Sequence, residues 1–410
     1  RVLFRSRENQ REKVFMSEWK TVKLENIAEV QTGPFGSQLH NKDYASVGTP
    51  IVTVEHLGQR IFSTQNLPLV KEEDKKRLSK YVLKTGDLVF SRVGSVDRCS
   101  YVSENENGWM FSGRCLRVRS SKEINSLFLY YFFCQEKTKQ NIRNIAVGAT
   151  MPSINTALLN EIQVDFPDLE TQKKIAAILS ALDDKIELNN KINKNLEEQA
   201  QTLFKEYILD NPHPEWQTGK LEDFGIIVGG GTPSKAKPEY YTESGKGIAW
   251  ITPKDLSITQ AKFTSHGELD ITELGYNNGS SKIMPKGTVL FSSRAPIGYI
   301  SIAQNDVTTN QGFKSVIPNK NIGTPFIYCY LKENIELIEN RASGSTFKEA
   351  SGSLMKSLEC TIPDQKTLDK FNANCNPIFE QQEKLEMETQ TLAQLRDALL
   401  PKLMTGELNI

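Results

Sequence analysis

W-K-T-V-K-L-E-N-I-A-E-V-Q-T-G at Trp19–Gly33 is answered by W-Q-T-G-K-L-E-D-F-G-I-I-V-G-G at Trp216–Gly230. The echoes continue in order. T-G-D-L-V-F-S-R from Thr85 matches K-G-T-V-L-F-S-S-R from Lys286, and A-V-G-A-T from Ala146 matches A-S-G-S-T from Ala342. Each half then closes on a long helical pattern. The offset holds at about 197 positions, from Trp19 to Trp216 and from Ala146 to Ala342. Solenoid units are far shorter, so this is a duplicated domain with its trailing helix. Two similar modules on one chain suit a target with two similar halves, and duplex DNA is the commonest two-fold surface to read.

The chain divides accordingly. Residues 17–168 read as one mixed α+β domain, with short β-type runs at Leu88–Arg92, Ser100–Ser103 and Cys115–Arg119 between turn clusters. A helical pattern at 125–142, a short helix near Ile154–Asn160 and a strand ended by Pro167 follow. Residues 211–363 repeat the order: strands near Val289–Ser292 and Tyr299–Ala303, a helix at 325–340, a short helix near Ser353–Ser357 and a strand ended by Pro363. Residues 169–210 and 364–410 are helical connectors. Residues 1–16 read as an upstream extension. Arg1–Phe15 precede Met16, are polar with five basic side chains, and lack both periodicity and the apolar stretch of a secretory leader.

The connectors carry the clearest local pattern. Apolar residues recur at steps of four and three: Ile175, Leu179, Leu182, Ile186, Leu196, Ala200, Leu203 and Tyr207, with Asn189 and Asn193 at the intervening core positions. The second series runs Phe371, Cys375, Ile378, Gln382, Leu385, Thr389, Leu392, Arg396, Leu399, Leu403. These are heptad stripes interrupted by polar residues, which cost stability and fix register. Two such helices in one chain pair most simply with each other. If both modules bind one duplex equivalently, its local two-fold relates them by about 180°, and the trailing helices run antiparallel. Roughly 37 helical residues span about 55 Å, or at most roughly 16 base pairs. The pair would act as a ruler, so shortening Ile175–Tyr207 by a heptad should change a recognised spacer and leave the half-sites alone. The expected architecture is α+β: two similar domains separated and held by long antiparallel coiled-coil helices, with an internal pseudo-two-fold.

Composition bounds the rest. The chain has 410 residues, 38% hydrophobic and 24% charged, which is ordinary globular usage. No apolar run approaches the roughly 20 residues of a membrane span, so no membrane role is expected. Six scattered cysteines without a C-x-x-C pair point to reduced buried thiols and a cytoplasmic protein. Net charge is zero, but 17–168 carries 19 basic and 17 acidic side chains, 211–363 carries 15 of each, and the connectors hold the acidity. A protein that meets DNA inside a larger assembly need not be basic itself.

No catalytic or metal site stands out. Pro167-Asp168 with Asp183-x-Lys185 satisfies a loose nuclease pattern, but Asp183 and Lys185 fall on the polar side of an expected helix. N-P-I-F at 376–379 lacks the second proline of an adenine-methyltransferase loop and sits in a helical connector. Gly229-Gly230-Gly231-Thr232-Pro233 lacks the Lys and helix of a phosphate cradle. The histidines lack metal-ligand spacing. DNA contacts remain. Bases are read by Arg, Lys, Asn and Gln, while phosphates take Lys, Arg and backbone donors. The candidates are Arg92 and Arg98 in one turn, Arg117 and Arg119 on one strand face, Lys75 and Lys76 in a basic helical run, Arg294 near the Arg92 position, and Asn310 and Gln311 in a turn.

These motifs, in this order and duplicated, resemble the DNA-specificity subunit of type I restriction–modification systems, from Met16 nearly to the end. The resemblance rests on M-S-E-W-K-T-V-K-L-E-N-I-A-E-V, on G-D-L-V-F-S-R-V-G-S-V from Gly86 and on T-N-Q-G-F-K-S-V from Thr309. G-S-T-F at 344–347, Q-K-K-I-A-A-I-L-S-A-L-D-D-K-I-E-L-N from Gln172 and L-R-D-A-L-L-P-K-L-M-T-G-E-L from Leu395 add to it. It implies a chain without catalytic residues or cofactors. Two target-recognition domains would each read half of a split, asymmetric site on double-stranded DNA. The helices would recruit two methyltransferase subunits and, through them, restriction subunits. S-adenosylmethionine, ATP and magnesium would belong to those partners. The second connector departs from the pattern, reading L-D-K-F-N-A-N-C-N-P, and Pro377 is expected to break or bend its helix. Two rival readings are an enzyme acting alone and a coiled-coil recognition or scaffold protein of another defence system.

Overall fold

The computed structural model describes residues 19–34, 38–344, 348–408 and 410. The upstream extension and the last three residues of G-S-T-F lie outside them. The chain forms two compact units. The first ends at Ile186 and takes in Thr391–Ile410; the second is Glu187–Gln390.

In the first unit, Ala28–Thr32, Cys115–Ser120, Leu88–Ser91 and Cys99–Tyr101 form an antiparallel sheet in that spatial order. L-V-F-S is buried throughout, Ser91 included, because the sheet is covered on both faces. Leu88 and Phe90 join the core shared with the helices. Val89, pointing the other way, joins a second core under a smaller sheet. That sheet orders Tyr44–Ala45, Leu69–Val70, Thr49–Val52 and Met110–Phe111, its last pair parallel. Lys20–Lys23 pairs with Gln163–Phe166 as a separate ribbon. The helix Ser126–Cys134 buries Phe128 through Phe133 in succession, so its surface is apolar all round. Asn125 caps it by accepting the Phe128 N–H at 2.9 Å.

The second unit repeats this topology. Gly225–Gly229, Lys314–Pro318, Val289–Ser293 and Ile297–Ala303 form the main sheet, extended at its edge by Phe263–Thr264. Tyr241–Glu243, Leu269–Ile271, Ile248–Ile251 and Thr308–Thr309 form the smaller one, and Gln217–Lys220 pairs with Glu359–Ile362. Val289 and Phe291 face the helical core and Leu290 the other. The turn before each central strand needs its glycine. Gly86 and Gly287 have φ of 90° and 87°, a region that L side chains rarely adopt. A Cβ on either would lie 3.0 Å from the hydroxyl of Ser126 or Thr324.

The central helix spans Leu169–Phe204 and continues as a π-turn over Lys205–Leu209; the C-terminal helix spans Gln365–Met404. Within the first unit Ile175 and Leu179 share a core with Leu400, Leu403 and Met404. Within the second, Ala200 and Phe204 share one with Leu368, Phe371, Cys375 and Phe379. In both, the start of one helix meets the end of the other, so the pairing is antiparallel. Leu385 is buried, and Leu182, Ile186, Leu196, Leu203, Ile378, Leu392 and Leu399 are half-buried along the same stripes. Asn189 is fully buried and donates to Glu388 at 2.9 Å, and Gln382 donates to the Asn193 carbonyl at 3.2 Å. Amides with such specific partners fix register. The break expected at Pro377 does not occur. The proline is exposed, while Cys375 and Phe379 on either side of it are buried. That packing outweighs the roughly 3 kcal/mol helix penalty of a proline.

Candidate nucleic-acid interface

Motifs far apart in the sequence meet in one loop cluster in each unit. In the first, the Ile154 N–H donates to the Arg92 carbonyl at 2.9 Å, the Gly94 N–H to Pro152 at 2.8 Å, and the Arg92 N–H to Arg114 at 2.8 Å. The turn after F-S-R, the A-V-G-A-T loop and the R-C-L-R run thus share a backbone network. In the second, the Ala350 N–H donates to Ser293 at 2.9 Å and the Ser293 N–H to Gly312 at 2.7 Å. By this equivalence Ser293 occupies the Arg92 position itself, with Arg294 next to it. F-S-S-R has one residue more than F-S-R, so the second position after Phe291 is Ser293 where the second after Phe90 is Arg92. Arg294 stands one step further on, 3.6 Å from Glu349, which also takes Lys314 at 3.3 Å.

The other candidates separate by what they touch. Arg117 is 2% exposed. It donates to Glu29 at 2.8 Å and to the Lys80 carbonyl at 3.1 Å. Burial, then the neighbouring Arg119, push its guanidinium below the usual arginine range. Arg119 holds Asp87 with two bonds of 2.7 and 2.6 Å. They do share a strand face, but it is the face turned to the smaller sheet. Arg117 is therefore withdrawn as a DNA contact and assigned to the interior, and half-buried Arg119 is withdrawn because its guanidinium is committed to Asp87. The exposed arginine of that run is Arg114, which the sequence reading passed over because it stands one step before the strand.

Arg92 is half-buried, with one nitrogen 3.3 Å from the Gly113 carbonyl. Arg98 is exposed in the same turn. Lys75 and Lys76 lie on a single short helix, Glu72–Arg77, Lys76 exposed and Lys75 3.9 Å from Glu72. Asn310 accepts the Gly312 N–H at 2.8 Å and so shapes its own turn; Gln311 is exposed and accepts from the Thr232 hydroxyl. Asp183 is also corrected. It is 5% exposed rather than on a polar helix face. It accepts from the Tyr131 hydroxyl and from Arg396, both at 2.7 Å. A carboxylate this buried needs such donors, which leaves it none of the freedom of a metal ligand.

A second charged cluster escaped the sequence reading. Lys262 is buried and reaches Glu197 and Gln382, each at 2.7 Å, with the Phe379 ring 3.4 Å below its ammonium. Burial works to raise the Glu197 carboxyl, but Lys262 and Lys332 beside it bring it down to about 2. A depressed carboxylate contributes stability above its unfolded pKa of about 4.3 and loses it as pH falls through the folded value. Wild type should therefore exceed Glu197→Gln in urea midpoint at pH 7, with the gap closing between about pH 4.5 and 2. A gap that is constant over that range would count against the ion pair. The thiols are buried chemistry of another kind: burial pushes Cys115 and Cys375 up to about 12, far from a reactive thiolate. Among the described residues no group of three metal-ligating side chains gathers, and no helix is long and apolar enough to cross a membrane.

Duplicated recognition-type lobes on an antiparallel helix pair define a class of protein, and comparison with known proteins places the chain within it. Residues 16–198 and 214–395 each match the type I restriction modification DNA specificity domain. The chain belongs to that family. It is a specificity subunit with two target-recognition domains, a DNA-recognition subunit rather than a catalyst. It is 40% identical to the type I restriction enzyme MjaIX specificity subunit of Methanocaldococcus jannaschii over 173 residues, 42% of this chain and 39% of that one. It is 24% identical to the HindI specificity subunit of Haemophilus influenzae over 96% of this chain and all of the relative. The crystal structure of a type I restriction–modification S subunit from M. genitalium shares the fold at a TM-score of 0.61 and 17% identity, covering 94% of this chain and 96% of that one.

Proposed function

We propose that the chain recognises a split, asymmetric sequence on double-stranded DNA. Each target-recognition domain reads one half, and the helix pair sets the spacer between them. The observation that carries this reading is the duplicated loop cluster, built in both units by the same motifs on the same topology. Arg98, Arg114, Lys76, Arg294 and Gln311 are the side chains best placed for contacts, being exposed or nearly so. The helices would recruit two methyltransferase subunits, and restriction subunits through them. S-adenosylmethionine, ATP and magnesium would be bound by those partners.

Mapping methylated adenines in cells that express the chain with its methyltransferase returns both half-sites and the gap. A continuous site, or none, would overturn the reading. Replacing Arg294 by Ala should relax a single base position in one half-site, by about 1–3 kcal/mol if it reads a base edge. A uniform loss at both half-sites would instead mark a phosphate contact.

A further inference from the structure

Arg60 and Lys262 leave the same backbone position in the two modules. The Arg60 carbonyl accepts the Tyr101 N–H at 2.9 Å, and the Lys262 carbonyl accepts the Ile302 N–H at 2.7 Å. Tyr101 pairs with Leu88 as Ile302 pairs with Val289. From that shared point each side chain crosses from the lobe to the long helices of its own unit. Arg60 pairs with Asp184. Lys262 pairs with Glu197 and Gln382, one from each helix. A tyrosine from the corresponding lobe helix stands beside each contact: Tyr131 donates to Asp183 at 2.7 Å, and Tyr328 to Glu197 at 3.2 Å. Around Lys262 the main chain is held too, the N–H groups of Lys262 and Phe263 each donating to Glu386 at 3.0 Å.

We propose that Arg60 and Lys262 are positioning residues that fix the angle at which each reading lobe meets the helices, and thereby the spacing and phase at which two half-sites are accepted. The chemistry favours this over stabilisation alone. A buried Lys–Glu pair is a weak source of stability, since apolar side chains of similar volume often serve as well or better. What an ammonium among a carboxylate, an amide and two aromatic rings supplies is a single geometry. At the lobe edge Phe263–Thr264 is only a two-residue strand, and Lys262 acts there together with the main-chain bonds to Glu386. The same device recurs in the other module with arginine in place of lysine, so it belongs to the shared scaffold and not to the bases each lobe reads.

The proposal rests on the reading that each lobe takes one half-site. The test uses the full chain with its methyltransferase subunit, acting on a DNA library in which both half-sites are kept and the spacer varies in length. Wild type and Lys262→Met are compared by sequencing the methylated products. For Lys262→Met the half-site bases should be unchanged, while preference for the correct spacer over one a base pair longer or shorter falls at least about tenfold. Misplacements of about 1 Å by remote substitutions are known to lose up to about 100-fold. Lys262→Arg should restore most of the preference. An unchanged spacer profile with a lowered Tm would overturn the proposal and leave Lys262 a stabilising residue. Altered half-site bases would overturn it as well. Arg60→Met, at a more accessible contact, carries the same test if Lys262→Met does not fold. A wild-type chain with no bipartite pattern would sink the functional reading itself; a sharp wild-type pattern matched by both variants sinks the positioning role alone.

Discussion

Inserting one heptad after Ile186 and another after Gln390 should lengthen the accepted spacer by about 3 base pairs without altering either half-site. The two points fall where the chain passes from one unit to the other. Each unit keeps its own helix contacts: Arg396 with Asp183 at 2.7 Å in the first, Asn189 with Glu388 at 2.9 Å in the second. Seven residues add about 10.5 Å of helix, which is about 3 base steps at 3.4 Å. Rotation makes the effect large. Three base pairs turn B-DNA by about 100° at roughly 10.5 base pairs per turn, whereas a heptad turns a straight helix by only about 20°. The longer protein should therefore recover the new spacer with clear loss of efficiency, and its old spacer should be methylated little or not at all. Methylation sequencing on a spacer library checks both. Changed half-site bases at the original spacing would refute the helices as the measure of the gap.

The helices were the most legible part of the sequence because their signal is local. Ile175, Leu179, Leu385 and Leu403 show their burial through a step of three and four that one strand of text displays. The main sheets were legible where L-V-F and V-L-F supplied short unbroken apolar runs. The smaller sheets were not. Tyr44–Ala45, Leu69–Val70, Met110–Phe111 and Thr308–Thr309 are two-residue strands, too short to carry a period, and tertiary pairing alone defines them. The candidate site was legible in residue type and not in direction. Arg117 and Arg119 were rightly read as sharing a strand face, but which face is covered depends on a sheet no sequence pattern announces. Arg60 and Lys262 belong to no motif. The residues after them differ, Ile61 and Phe62 in one half and Phe263 and Thr264 in the other, so no shared pattern marks the pair.

Arg117 provides the sharper contest between sequence expectation and fold. Replacing it by Ala should destabilise the first unit by about 2–4 kcal/mol, the range for truncating a large, fully packed side chain. The loss has three parts. The aliphatic stem packs between the two sheets, directly across from Val89 in the main sheet. The guanidinium satisfies the Lys80 carbonyl at 3.1 Å, which would be left without that donor. The bond to Glu29 adds less, because that carboxylate is 63% exposed and water takes over its solvation. In a unit of this size the expected fall in Tm is about 4–16 °C. Protein that remains folded should keep both half-site preferences. Arg98→Ala, at an exposed position in the turn beyond the same sheet, should leave Tm nearly unchanged, so that any loss it causes appears in DNA binding. Thermal melts and methylation sequencing of the two variants side by side separate the roles. An Arg117→Ala protein of normal Tm that has relaxed one base of one half-site would return Arg117 to the DNA and refute the interior assignment.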